Sequence, residues 1–319
     1  MKAKPKPQKT DLIPINSVSQ MLVDPQKNID GLMGSVFSGL SINTLRAYKK
    51  SWEDFTRFLG FETPGQAVLK LCRCTPGEAN AIAFGYRAKM TEDKLTPNTI
   101  NSRLAAIKSI MDRFRIMGMV TYTLEVKGMK VTTYRETQGP GKEPIVETLK
   151  ILGERKDPIA LRDLAIIRLL YTNGLRRSEV SGLDVDHVEF EKDRISIKGK
   201  GRTEREYVTI GQKTKAVIEA WLKVRPDRGQ ALFINFDPLK KGDGRLSDTS
   251  IYRTVKGYGL GRPHGLRHTA ITEALENAKG DVRSVQKFSR HKDIRTLLIY
   301  DDNRKDVGGD ITKKLDEDI

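Results

Sequence analysis

From Ser41 onward, apolar positions recur at helical spacing. Leu45, Tyr48, Trp52, Phe55 and Leu59 step by 3, 4, 3 and 4 residues, which is one face of an amphipathic helix, and Gly60 stops it. A second helix opens at Thr75-Pro76, a capping residue followed by a proline with no amide hydrogen to lose, and runs to about Met90. Thr96-Pro97 repeats that start signal, and behind it Ile100, Leu104, Ile107, Met111 and Phe114 step by 4, 3, 4 and 3. The other faces of this third helix carry Arg103, Lys108, Arg113 and Arg115. Residues 39–120 therefore predict a small all-helical domain with a basic exterior. Residues 1–38, where Lys2, Lys4, Lys6 and Lys9 alternate with Pro5, Pro7 and small residues, show no period and predict a flexible basic tail.

The breaker cluster Gln138-Gly139-Pro140-Gly141 predicts a linker over 121–144, with Lys127, Lys130 and Arg135 along it. Beyond it the pattern is mixed. Leu161, Leu164, Ala165, Ile166, Leu169 and Leu170 predict a mostly buried helix that ends near Asn173-Gly174. Three short strand-like runs follow, at Val188–Phe190, Ile195–Ile197 and Tyr207–Ile210, separated by Lys192-Asp193 and by Lys198-Gly199-Lys200-Gly201-Arg202. Helical spacing resumes over 212–224. Ala231–Phe236 reads as a short strand, and four helical pieces follow at about 248–256, 264–278, 281–289 and 293–300. Residues 145–319 form the second domain on this reading.

Composition narrows the class. Of 319 residues, 57 are Lys or Arg and 41 Asp or Glu, a formal charge of +16. That calls for a polyanionic partner. No apolar run approaches the roughly 18 residues of a membrane span, the basic start lacks the apolar core of a signal peptide, and neither a basic amphipathic helix nor a lipidation site is present. Among nucleic acid, an acidic membrane surface and an acidic protein, nucleic acid leads. Cys72 and Cys74, one residue apart, close no useful disulfide loop and point to a reducing, cytoplasmic setting. The four His residues form no metal-binding pattern, so no metal is expected.

Four clusters carry candidate chemistry. His264 and Arg267 lie three apart, on one face of a helix, and suit a phosphate: Arg as a forked cation, His as a donor or proton shuttle. Gly174-Leu175-Arg176-Arg177-Ser178-Glu179 puts Arg176 at a junction between helices, with Glu179 placed to hold it. Lys200, flanked by Gly199 and Gly201, stands at a hairpin tip whose backbone turns sharply enough to reach a ligand. Ser289-Arg290-His291 is followed nine residues on by Tyr300, at the end of an apolar run. Taken singly, each also reads as ordinary surface or core.

In this order, the clusters resemble the tyrosine recombinase (phage integrase) family, whose pattern is G-x-R-x-x-E, a hairpin Lys, H-x-x-R, a His or Trp, and a Tyr about nine residues later. Ser41–Tyr48 and Thr96–Asn101 also sit where that family places segments of its core-binding domain, so the resemblance spans about residues 39–305. It implies two domains: an all-α N-terminal core-binding domain, a SAM-like helical bundle, and a mixed α+β, mainly helical C-terminal catalytic domain with a small antiparallel sheet. It implies site-specific DNA recombination through a 3′-phosphotyrosyl intermediate. Arg176, Lys200, His264, Arg267, His291 and Tyr300 would be catalytic and Glu179 supporting, with no cofactor. The partners would be double-stranded DNA carrying a specific site and three further copies of the chain, a homo-tetramer on two sites, with the acidic stretch after Tyr300 docking on a neighbouring subunit. No motif names an accessory protein. Residues 1–38 leave little room for an arm-binding domain.

Two rivals share parts of the pattern: a type IB topoisomerase has the same residue set, and a non-catalytic DNA-binding protein would lack the nucleophile. This chain departs from the family pattern where Ser289-Arg290 replaces the usual Leu-Gly before the His, which puts the turn there in question. Asn173 stands where Thr is common. His268 reads as a packed structural residue, and His187 matches no role.

Overall fold

The computed structural model describes residues 33–34, 36–131, 139–199, 204–237, 244–278, 281–298 and 307–317. The chain divides into two compact units, at Thr132 and Thr133.

Among the described residues, the first unit has the helices α1 (Ile42–Phe58), α2 (Pro64–Cys72), α3 (Pro76–Glu92) and α4 (Pro97–Ile116). Each is started by a hydroxyl. Ser41, Thr63, Thr75 and Thr96 accept from an amide in the first turn, and Thr63 and Thr75 close reciprocal capping boxes with Gln66 and Glu78. The predicted stripes face inward: Trp52, Phe55, Ile100, Leu104, Ile107, Met111 and Phe114 are all buried. Helix α2 has the same Thr-Pro start as α3 and α4, but at nine residues it is too short to show a period.

The four basic residues assigned to the exterior of α4 have partners inside this unit. Arg103 pairs with Asp54, Arg113 donates to the Val36 and Ser38 carbonyls, Lys108 donates to the Val126 carbonyl, and Arg115 pairs with Asp112.

Described residues at both ends of the 121–144 stretch are structured. Val120, Tyr122, Leu124 and Val126 alternate into the core of the first unit. Asn101 clamps Met129 by bonds to its amide (2.7 Å) and carbonyl (2.9 Å), and a Cβ on Gly128 would lie 2.6 Å from the Asn101 side chain. The period-2 apolar spacing, readable in the sequence, stitches this stretch to the helices. At the other end, α5 begins at Lys142. Gln138 and Arg135 lie outside the described residues, as do residues 1–32.

The second unit is built around α6 (Pro158–Thr172), apolar on nearly all sides and buried from Ala160 through Leu170 except at Leu161 and Arg168. Against it pack α5 (Lys142–Glu154), α8 (Gln212–Val224) and α10 (Pro263–Asn277). Between α6 and α8 come the short α7 (Arg177–Ser181) and a three-stranded antiparallel meander, β1 (Val188–Glu189), β2 (Arg194–Lys198) and β3 (Arg205–Thr209), in register at Val188–Ile195 and Ile195–Val208. Then follow α9 (Asp248–Gly257), α11 (Val282–Ser289), α12 (Arg295–Leu298) and α13 (Val307–Glu317). Ala231–Phe236 is not a strand. It makes single bridges, at Ala231 and Ile234, because Ala231, Leu232, Phe233 and Ile234 are all buried and neighbouring loops take up their backbone bonds. The fold is thus two mainly helical units, the second with a small antiparallel sheet. No described helix is long and apolar enough to cross a membrane.

Candidate active site

Helix α6 ends on Asn173, and Gly174 turns the chain with a left-handed φ of 53°. Glycine is favoured here on two counts: by that φ, and because a Cβ would lie 3.3 Å from the Phe288 ring. The turn delivers Arg176 to the start of α7. Glu179, one turn on and 3% exposed, receives both the Arg176 amide (Oε2, 2.8 Å) and its guanidinium (Oε1, 2.8 Å). Burial raises the Glu179 pKa, but Arg290 and then the Arg176 amide and guanidinium outweigh it, holding the carboxyl below its usual range. The Arg176 side chain keeps 27% of its surface exposed. It is a cation held at both its amide and its guanidinium and still part-exposed.

Arg267 is placed differently. It lies on α10, 1% exposed, and donates to the Gly174 and Ser289 carbonyls. Its Nη2 is 3.4 Å from His291 Nε2. Its fork is therefore partly committed to the backbone, locking α10 to the end of α6 and to the turn before His291. His264, three residues earlier on the same helix, is exposed. His291 is half-buried and its pKa is pushed down to about 4, first by burial and then by the charges of Arg267, Arg176, His264 and Arg290. At neutral pH it is an uncharged imidazole in a cationic setting.

Arg176, His264, Arg267, His291 and Glu179 thus gather at the end of α6. Lys200 falls in the connection between β2 and β3, and Tyr300 follows α12; both lie outside the described residues. His268 is packed on the inner side of α10 at 3% exposure. His187 serves a local turn, its Nδ1 accepting from the Asp184 amide at 2.8 Å. Asp184, Asp186 and His187 could approach a cation together, but that nitrogen is already engaged and Arg245 pairs with Asp184.

Arg290 has no role in the sequence reading beyond a departure from the family pattern. It ends α11 in the left-handed conformation a family glycine would adopt, with φ 57° and ψ 34°. For a residue with a Cβ this costs about 1–2 kcal/mol, yet the turn keeps its shape. The guanidinium lies under the site, 3.0 Å from Glu179. The signal was the departure from the family pattern itself. A cleft of about 800 Å³ opens on this side, lined by Glu206, Arg283, Gln286, Lys287, Arg290 and His291 among others.

Residues 143–306 match the phage integrase family model. A tyrosine recombinase of Synechocystis sp. is 38% identical over 92% of this chain and 99% of its own length. The chain belongs to the phage integrase family. A second tyrosine recombinase, of Synechococcus elongatus, is 36% identical over 93% of this chain and 96% of its own. A XerH site-specific recombinase, solved bound to a palindromic difH substrate in a post-cleavage complex, shares the fold with a TM-score of 0.62 at 15% identity, covering 96% of this chain and 90% of that one. The recombinase is accordingly an enzyme of site-specific recombination, and the topoisomerase and non-catalytic readings are not favoured. The matched segment contains all seven residues drawn from the sequence pattern, and each of the five that is described lies in the second unit, at the end of α6.

Proposed function

We propose that this recombinase cleaves and rejoins double-stranded DNA at a specific site through a covalent link to Tyr300. The observation that carries the reading is the gathering of Arg176, His264, Arg267 and His291 at one helix end. A phosphodiester is anionic and repels nucleophiles, so its transition state needs fixed positive charge on the non-bridging oxygens. Arg176, clasped by Glu179 and part-exposed, supplies that charge, and Arg267 adds to it while holding the frame. In this mechanism the Tyr300 oxygen bonds to phosphorus as the bond to the 5′-oxygen breaks. The tyrosine proton passes to His264, and Lys200 gives the leaving oxygen its proton, producing a 3′-phosphotyrosyl link and a free 5′-hydroxyl. Neutral His291 donates a hydrogen bond to a phosphate oxygen. Attack by a partner strand's 5′-hydroxyl reverses the step, so the bond energy is stored and no nucleotide cofactor is consumed.

The working assembly in this proposal is a tetramer on two DNA sites, acting in the cytoplasm. DNA-bound relatives such as the XerH complex support the choice of partner. The test is a nicked duplex carrying the cognate site, incubated with protein and resolved in detergent. Wild type is expected to form a stable protein–DNA adduct and Tyr300→Phe none. An adduct that persists in the Phe variant overturns the nucleophile assignment.

A further inference from the structure

Arg290 stands where the family pattern has glycine, and it retains the left-handed backbone that glycine would take. Its side chain is 8% exposed, so it is not there as surface charge. Its Nη2 donates to Glu179 Oε2 at 3.0 Å and to the Gly174 carbonyl at 3.3 Å, and its Nη1 donates to the carbonyls of Phe288 (3.1 Å) and Asn173 (3.3 Å). Its Nε is 3.5 Å from Glu206 Oε1, on β3. The carboxylate it meets is the one that holds Arg176: Glu179 Oε1 takes the Arg176 guanidinium, and Oε2 takes both the Arg176 amide and Arg290.

We propose that Arg290 is a positioning residue for strand cleavage, which fixes the Glu179–Arg176 pair from beneath and ties the end of α6 to β3, the strand leaving the Lys200 connection. The inference rests on the assignment of Arg176 as a phosphate-binding cation and Tyr300 as nucleophile. A Lys cannot replace this function fully, because one ammonium cannot span a carboxylate and three carbonyls as a planar fork does. Burial alone raises the Glu179 pKa, and Arg290 is the strongest influence opposing it. The charged or titratable groups around that carboxylate are Arg176 from its own turn and Arg290 from the end of α11. Glu206 of β3 lies on the far side of Arg290, and His291 is next along the chain.

The experiment compares wild type with Arg290→Gly, Arg290→Met and Arg290→Lys. It measures single-turnover adduct formation and equilibrium DNA binding on the nicked cognate duplex, and melting temperature. Arg290→Gly restores the family backbone residue, so the turn itself is not under strain in that variant. Gly and Met variants are expected to bind DNA within about threefold of wild type and to form adduct at least about tenfold more slowly. Lys should recover part of the rate. The deficit of the Gly variant should widen as pH falls, because burial no longer opposed by Arg290 lets Glu179 take up a proton at higher pH than in wild type and loosen its hold on Arg176.

An adduct rate within about twofold of wild type, binding lost in step with cleavage, or a deficit independent of pH overturns the proposal. If Gly and Met variants do not fold, the Lys variant decides the matter by the same measurements. Absence of adduct with wild type, or its persistence in Tyr300→Phe, instead refutes the underlying site assignment.

Discussion

Arg267 and Arg290 donate to the same carbonyl, that of Gly174, although one side chain comes from the second turn of α10 and the other from the end of α11. One backbone oxygen thereby organises two buried cations and the start of the Arg176 turn. The geometry of the cleavage site consequently depends on a residue with no side chain.

Gly174→Ala should expose that dependence. The added Cβ meets the Phe288 ring at 3.3 Å in a left-handed backbone. A stability loss of about 1–2 kcal/mol is expected from the conformation alone, with a larger loss of cleavage as the shared carbonyl shifts. Denaturant melts together with the adduct assay measure both. A variant that melts and cleaves like wild type contradicts the role given to this oxygen.

Arg176→Ala and Arg267→Ala should differ in kind. Arg176 is part-exposed and held by one carboxylate, so its loss should cut cleavage by about 10²-fold or more and leave folding nearly intact. Arg267 is 1% exposed and satisfies two buried carbonyls. Its loss should abolish cleavage and also cost about 1–3 kcal/mol for the Ser289 carbonyl left unpaired, while Arg290 still reaches that of Gly174. Equal thermal stability in the two variants contradicts this distinction.

His291 gives the site a pH signature. Its native pKa of about 4 is below the value near 6.5 of an unfolded histidine. The neutral ring is favoured in the fold, so its contribution to stability is complete above about pH 6.5 and is lost as pH falls toward 4. NMR titration of the His291 ring should show a midpoint near 4. His291→Gln should flatten the part of the melting-temperature profile that falls over this range. A midpoint near 6.5 would show that the surrounding charges do not act on the ring.

Gly139→Ala tests how the chain enters the second unit. A Cβ there would overlap the Thr269 hydroxyl and the Gly265 carbonyl, on the first turns of α10. Backbone cannot yield by that amount, so either the 139–140 crossing lifts off or the start of α10 moves, and His264 with it. Reduced melting temperature and slower adduct formation are expected together. Unchanged values in both would mean the crossing is dispensable.

The charge of +16 predicts a steep response to salt. Each phosphate neutralised contributes about −0.9 to the slope of log affinity against log salt on duplex DNA, so binding should weaken by about 10³-fold or more between about 50 and 200 mM. Gel-shift titrations at several salt concentrations measure it, and a nearly flat response is incompatible with a clamp built from Lys and Arg.

Much of the architecture was legible in order along the chain. Thr75-Pro76 and Thr96-Pro97 announced their helices because a hydroxyl cap and a proline act locally, and the apolar stripe through Trp52 and Phe55 had only one way to face inward. Helix α5 escaped notice because Gly141 offers no side-chain cap. Breaker residues mark where the 121–144 stretch turns, whereas its attachment to the first unit depends on Asn101, far away in sequence.

The sequence by itself determined the residue types, their order and the helices that carry them, since caps, periodicity and fixed charges are properties of neighbouring positions. Only the tertiary structure decided their division of labour. Arg176 remains open to a ligand, Arg267 is largely bound to backbone, His291 is neutral at physiological pH, and Arg290 occupies a glycine position to secure Glu179. Those distinctions come from burial and from contacts between α6, α10 and α11 across about a hundred residues of chain, and no local pattern encodes which of two arginines will meet water and which a carbonyl.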